Sequence, residues 1–303
     1  MNELLAARHR PRPRRRPSAR LLAIPLIAAL LAACGDDDSP DGVGSDVTGG
    51  SETTAPAPTG NTYSHGSGPD DVVVRIDTAV GGFTTQEYAF QRIPTLLVTG
   101  DGRVLRAGAQ IAIFPQPLLP AVEVAPISEE SVQELLAAAD EAGLLAAPPD
   151  YDQDAPQVTD VGSTVVTLVV DGETYVHSAY ALALEPEETS SARAALADFV
   201  ATAQEIGGRS VDGGQVFAPT EFEIWAQPDD VANYTDEPKP TVEPWPAETG
   251  IALADASTCL AVPAASVQSV FEAANQLTFF EDAGVTYRLI VRPVLPAAER
   301  CPS

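Results

Sequence analysis

The stretch Thr164-Val165-Val166-Thr167-Leu168-Val169-Val170-Asp171-Gly172-Glu173-Thr174-Tyr175-Val176-His177 decides the fold class. Two β-prone runs flank an Asp-Gly pair, and the type I′ turn that closes a two-residue hairpin needs positive φ at both central positions. A hairpin is therefore predicted from Thr164 to Leu182. The sequence on either side has a different period. Upstream, Ser128 is placed as a helix N-cap, with Glu129 and Glu130 in the first turn and Ile127 and Val132 at hydrophobic-staple spacing. That helix should run to about Ala142 and stop at Gly143. Downstream, a second helix is expected from Ser190 to Ile206, ended by Gly207-Gly208. Hairpins and helices that follow one another without a strand–helix–strand alternation predict an α+β fold, with helices packed on antiparallel hairpins.

Further out, Val72–Ile76 reads as a strand with Val72, Val74 and Ile76 on one face and Val73 and Arg75 on the other. Phe83–Phe90 reads as a second strand. Ile93–Val104 reads as a hairpin turning at Gly100-Asp101-Gly102. Gly207–Gly214 marks a boundary. Beyond it lie a strand at Thr220–Gln227, a proline-rich loop or polyproline stretch over 228–246, a helix at Ala264–Leu277 and a hairpin at Thr278–Val294. Ser131-Val132-Gln133 and Ser266-Val267-Gln268 open similar helices, and each is followed by a hairpin containing Gly-x-Thr-Tyr, at Gly172–Tyr175 and Gly284–Tyr287. A helix laid across a strand pair and used twice explains this, as does chance similarity in an alanine-rich chain. The expected organisation is a leader at 1–33, a tether at 34–70, an α+β domain at 71–208 and a smaller related subdomain at 209–303.

Seven arginines between Arg8 and Arg20 precede a short apolar run, Leu21–Ala33, which Pro25 interrupts. Basic and then briefly apolar is the order of a secretory signal peptide, not of a membrane span. The run ends in Leu31-Ala32-Ala33-Cys34, followed by Gly35 and acidic residues. This is the pattern of a bacterial lipobox, so Cys34 is expected to be lipidated and to anchor the protein on the outer face of the cytoplasmic membrane. An ordinary signal peptide with an incidental Cys34 is the alternative. The 303 residues hold 43 acids against 17 Lys plus Arg, a formal charge of −26. That sign excludes nucleic acid as an expected partner, because phosphates select cations, and it leaves lipid rather than charge to hold the chain at a membrane. One lysine, Lys239, beside abundant Arg and Ala fits a GC-rich genome, and the acidity fits a saline habitat equally well. Residues 35–69 have almost no large apolar side chains and cannot offset their ordering entropy. They read as a stalk of roughly 30–35 Å mean span in which His65 is solvated.

Gly100-Asp101-Gly102-Arg103-Val104, Glu141-Ala142-Gly143-Leu144-Leu145, Tyr180-Ala181-Leu182 and Arg292-Pro293-Val294-Leu295-Pro296 resemble a group of actinobacterial secreted lipoproteins over most of residues 71–296. The resemblance implies location and build. That group has no established activity, so it implies no chemistry.

Catalytic motifs are missing. There is no G-x-S-x-G elbow, Walker loop, G-x-G-x-x-G turn or H-E-x-x-H helix. His177 is the one histidine expected in the folded part, and no nucleophile or orienting acid is identifiable for it, so a plain strand histidine is the reading. Lys239 has no Ser or Thr three positions earlier. Trp225 and Trp245 could stack on sugars but read better as packing residues. With Cys34 lipidated, Cys259 and Cys301 are the remaining thiols in an oxidising compartment and are expected to form a disulfide, two independent thiols being the alternative. Asp150, Asp152 and Asp154 alternate and Asp160 follows, a spacing that could hold calcium through carboxylate oxygens. Ala155 and Val161 stand where an EF-hand needs Gly and Glu, and a solvated acidic loop explains the same residues. The expected function is a non-enzymatic, lipid-anchored envelope module that binds a partner or ligand. A hydrolase working through paired carboxylates is the alternative, and no particular pair can be chosen among so many acids.

Overall fold

The computed structural model describes residues 62–79, 81–82, 84–153, 155–184, 190–209, 214–298 and 300–301. All of these fall in one compact unit, residues 57–303. The expected signal peptide, Cys34 and most of the expected tether lie outside the described residues, as does Asp154.

The decisive hairpin forms where its turn chemistry puts it. Strands β5 (Ser163–Val170) and β6 (Glu173–Tyr180) pair antiparallel, and Asp171 and Gly172 take φ of 53° and 79°. They edge a seven-stranded sheet completed by β1 (Val72–Thr78), β2 (Leu96–Thr99), β3 (Arg103–Ala107), β4 (Val122–Pro126) and the short β7 (Gln215–Val216), in the order β6-β5-β1-β2-β3-β4-β7. Residues 215 and 216, past the expected boundary glycines, thus still belong to the first sheet. Strand β1 departs from simple alternation. A register shift between Val72 and Val74 buries Val73 and Val74 together in the helix-covered core, while Val72 packs on the opposite face. A bulge of this kind adds one residue to the strand and so changes which face the residues before it meet.

Helix α2 (Glu129–Glu141) starts at Ser128, whose hydroxyl accepts from the Ser131 amide at 3.2 Å. It ends before Gly143 at φ 71°. Its buried residues Val132, Leu135, Leu136 and Ala139 recur at helical spacing, and full burial of each Leu contributes about 1.5–3 kcal/mol. Helix α3 (Ser191–Gly207) packs beside it, burying Leu196, Phe199, Ala203 and Ile206. Together they cover the sheet face that carries Val74, Ile76, Val98, Val166 and Leu168. Residues 62–70, assigned from the sequence to the tether, also belong here. Tyr63 exchanges backbone hydrogen bonds with the Gln133 amide and donates its hydroxyl to Asp140 at 2.8 Å. The His65 side chain is only 8% exposed and reaches Glu129 at 3.1 Å, so it is not solvated. Three polar anchors offset the ordering cost that composition alone makes look prohibitive.

A second sheet follows: β8 (Glu221–Pro228), β9 (Thr241–Pro244), β10 (Leu260–Pro263), β11 (Thr278–Asp282) and β12 (Val285–Pro293), ordered β10-β8-β12-β11-β9. The β11–β12 turn again has positive φ, at Ala283 and Gly284. Helix α4 (Ala264–Ala273) buries Val267 and Phe271 against Phe222, Ile224 and Phe280. The fold is therefore α+β with two mainly antiparallel sheets. The local succession of helix and hairpin recurs, but its placement differs: β6 is an edge strand, whereas its counterpart β12 is central. Within the proline-rich stretch, Thr241–Pro244 pairs parallel with β11 instead of staying loop.

One expected element changes type. A strand is expected at Phe83–Phe90, but Gln86–Phe90 forms a short helix, α1, capped by the Thr85 hydroxyl accepting from the Tyr88 amide at 3.3 Å. Phe83 lies outside the described residues. The segment carries β-prone aromatics and threonines but no apolar–polar alternation, and the Thr cap with Glu87 in the first turn decides for helix.

Candidate binding cleft

Helix α1 has two working faces. On one, Glu87 pairs with Arg288 at 3.1 Å, Phe90 lies edge-on to Trp225 and beneath the Arg292 guanidinium at 4.6 Å, and the Gln91 amide donates to the Val291 carbonyl at 3.0 Å. These contacts seam the first sheet's connections to β8 and β12. On the other, Tyr88 and Arg92 face a cleft of about 1090 Å³.

The far wall of the cleft is the connection between β3 and β4. Residues 108–121 leave and rejoin the first sheet at one point, where the Gly108 amide donates to the Ala121 carbonyl at 2.9 Å. The excursion is tied to the second sheet by reciprocal backbone bonds, Leu118 N to Ala274 O at 3.1 Å and Gln276 N to Gln116 O at 2.9 Å, and by Leu118, which is buried in that sheet's core. At the tip, the Gln116 side-chain amide donates to the carbonyls of Ile111, at 2.7 Å, and Ile113. The tip is thus held in shape although its side chains face water: Ile111 is 58% exposed, Ile113 55% and Phe114 65%, with Tyr88 across the cleft at 65%. Of these, Ile111 and Tyr88 line the concavity itself, and exposed apolar side chains in a concavity mark a binding surface better than scattered ones do.

The electrostatics of the cleft contrast with those of the chain. None of its described lining residues is Asp or Glu, in a protein that has 43 of them. Its one charged lining residue is Arg92, half-buried and without a hydrogen bond or ion pair. Each of the other arginines among the described residues is engaged: Arg75, Arg103, Arg106, Arg209, Arg288, Arg292 and Arg300 hold carboxylates, and Arg193 donates to the Tyr180 carbonyl.

The residues singled out from sequence fall elsewhere. His177 is fully buried; Tyr151 Oη lies 2.8 Å from its Nδ1, and its Nε2 lies 2.8 Å from the Leu144 carbonyl. Since a carbonyl only accepts, Nε2 carries the proton and the tyrosine hydroxyl donates to Nδ1. Burial raises the Tyr151 pKa. This is a core polar chain that joins the loop after α2 to β6. Asp150 accepts from the Asp152 amide at 3.1 Å, and Asp152 accepts from the Tyr180 amide at 3.1 Å. Asp160 sits at φ 62°. Among the described residues, these carboxylates do not form a group of three with oxygens within 4.8 Å of one another. Trp245 is buried and donates to the Ile251 carbonyl; Trp225 donates to the Ser257 carbonyl and braces α1. Lys239 is exposed.

Cys259 and Cys301 meet at disulfide distance, with Cα atoms 5.5 Å apart. Beside them lies Glu223, fully buried, its carboxylate taking the Arg292 guanidinium at 2.6 Å and the Cys301 amide at 2.7 Å. Glu223 and the two sulfurs form the one described group close enough together to bind a metal. With the thiols bonded to each other and the carboxylate neutralised by Arg292, they read as a clasp instead. A shallower hollow of about 520 Å³ contains Asp229 and Asp230. Their carboxylates accept from the Asp230 and Ala232 amides respectively, and Asp229 also accepts from the Tyr234 hydroxyl, so both stabilise the turn.

The cleft was missed from sequence because its parts come from separated segments. One signal was present: residues 88–122 contain a single acid, Asp101. Part of that gap is core strand, at Leu96–Thr99 and Val104–Leu105, and the remainder supplies most of the cleft lining. No protein-family model, no curated protein and no solved structure matches this chain.

Proposed function

We propose that this protein is a lipid-anchored extracytoplasmic binding module, which uses the cleft between α1 and the 108–121 excursion to hold a ligand with apolar surface. The observation that carries this reading is a concavity of about 1090 Å³ with no acid among its described lining residues and with the exposed apolar side chains of Ile111 and Tyr88 in its lining. Exposed apolar side chains on a pinned loop are stabilised only when something covers them. Hydrolysis by paired carboxylates would need acids converging in such a cleft, and none lines it among the described residues. The anchor follows from the order of basic residues, short apolar run and Leu31-Ala32-Ala33-Cys34.

Two measurements test the reading. A fatty-acid label in cells should mark the wild type and not Cys34→Ala; equal marking of both rules out the anchor. For the cleft, the chain from residue 34 onward carrying Cys34→Ser, free of lipid and detergent, should enhance Nile red fluorescence saturably. Ile111→Ser should weaken that binding several-fold, since the lost apolar area is worth about 1 kcal/mol or more. Fluorescence indifferent to Ile111→Ser would remove the cleft from consideration.

A further inference from the structure

We infer that the ligand of this cleft is an amphiphilic anion: an apolar body with a single carboxylate or phosphate head, the head held by Arg92. The inference rests on the cleft being the binding site and adds the chemical class of its occupant.

Arg92 carries it. Its guanidinium has neither a carboxylate nor a carbonyl partner, in a chain with 43 acids where all eight other described arginines are engaged. Its neighbours explain how it is kept apart. Gln91 is committed to the Val291 carbonyl, Ile93 packs on the first sheet's second face with Leu97 and Leu105, and Pro94 is buried. The backbone on both sides of Arg92 is therefore fixed, and its side chain is directed to the cleft by the fold. A planar fork of donors in a half-buried setting, with no acid among the described lining residues, matches the two oxygens of a carboxylate or phosphate.

The rest of the lining sets the body of the ligand. Ile93, Ile111, Leu119 and Pro120 offer apolar wall, and the hydroxyls of Thr84 and Thr95 are uncharged. A cationic ligand would meet Arg92 and no acid. A neutral apolar ligand would leave Arg92 desolvated without a partner, which is costly. The surrounding acids repel an anion at long range, but physiological salt screens beyond about 8 Å. Inside the cleft the nearest charge is favourable.

The experiment is displacement of Nile red from the residue-34 chain carrying Cys34→Ser, by ten-carbon amphiphiles below their micelle concentrations: decanoate, decyl phosphate, decanol and decyltrimethylammonium. Decanoate or decyl phosphate should displace dye at concentrations about tenfold or more below decanol, the worth of a charge-assisted hydrogen bond, and the cation should be weakest. Arg92→Gln should erase the gap between anions and decanol. Because Arg92 bonds to nothing in the protein, the melting temperature of that variant should be unchanged, which separates lost recognition from lost folding. Preference for decyl phosphate over decanoate identifies a phospholipid-like source, and the reverse a free acid. Decanol equal to the anions, or an anion preference that survives Arg92→Gln, overturns the inference while leaving the binding reading intact. Dye that binds but yields to none of the four overturns it as well. Failure of the dye itself to bind takes the binding reading down with it.

Discussion

Arg292 and Arg92 both lie at the C-terminal end of one short helix and have opposite surroundings. Arg292 is paired with a fully buried Glu223, lies over Phe90 and donates to the Phe90 carbonyl. Arg92, two residues past Phe90, has no partner. The first arginine is structural: it neutralises a buried acid and joins α1 to β12. The second contributes nothing to the seam and is left available. In an acidic chain, where partners for a cation are plentiful, an unpartnered one says more about function than any carboxylate can.

The largest expected effect breaks the structural side. Arg292→Ala strands the Glu223 carboxylate, whose side chain is 1% exposed, and loss of one member of a buried pair costs about 3–5 kcal/mol. Urea unfolding should show that loss. The double variant Glu223→Gln/Arg292→Met, which removes the charge as well as its partner, should recover much of it. A small effect for Arg292→Ala would mean that water or the backbone already satisfies Glu223.

A smaller effect sharpens the contrast at the same seam. The Glu87 carboxyl is lowered below its ordinary 4.5, first by a hydrogen bond from its own backbone; burial opposes this, and the Thr85 hydroxyl and Arg288 reinforce it. A carboxyl with a depressed folded-state pKa contributes stability that is present above the unfolded value and lost as pH falls through the folded one. Glu87→Gln should therefore destabilise at pH near neutrality, by under about 1 kcal/mol because the pair is partly exposed. As pH falls below the unfolded value and through the lowered folded-state pKa, the variant and the wild type should converge. Equal differences at both pH values would assign the effect to helix capping alone. The least effect on stability belongs to Arg92, whose removal should shift unfolding by no more than about 0.5 kcal/mol while acting on ligand binding.

What could be read in advance follows the same divide. Elements set by short-range chemistry were legible: the Asp171-Gly172 turn, the Ser128 and Ser190 caps and the Gly143 stop all rest on a few adjacent residues. Strand β7, the parallel β9 and edge strand β10 were not, because each is short and exists only by pairing with a partner far along the chain. Helix α1 departs from the strand expected at Phe83–Phe90 because the Thr85 cap and the seam contacts outweigh its β-prone aromatics and threonines. The alternation of Val72–Ile76 was spoiled by one bulge. Of the cleft only an acid-free interval from Tyr88 to Asp101 and from there to Val122 was visible. The isolation of Arg92 is a property of three dimensions, since the acids nearest in sequence are all turned elsewhere.

The C-terminal segment has a consequence for how the molecule is made. Leu295 and Ala298 cover the second face of the first sheet, beside Leu97, Leu105 and Val122, and Cys301 then bonds to Cys259 next to β10. Leu295 and Ala298 thus cap strands laid down some 200 residues earlier. Synthesis runs from the N-terminus, so the first sheet must wait, one face uncovered, until these residues have emerged. A chain truncated before Leu295 lacks both the cover and the cysteine, whereas one truncated between Ala298 and Cys301 keeps the cover and loses only the bond to Cys259.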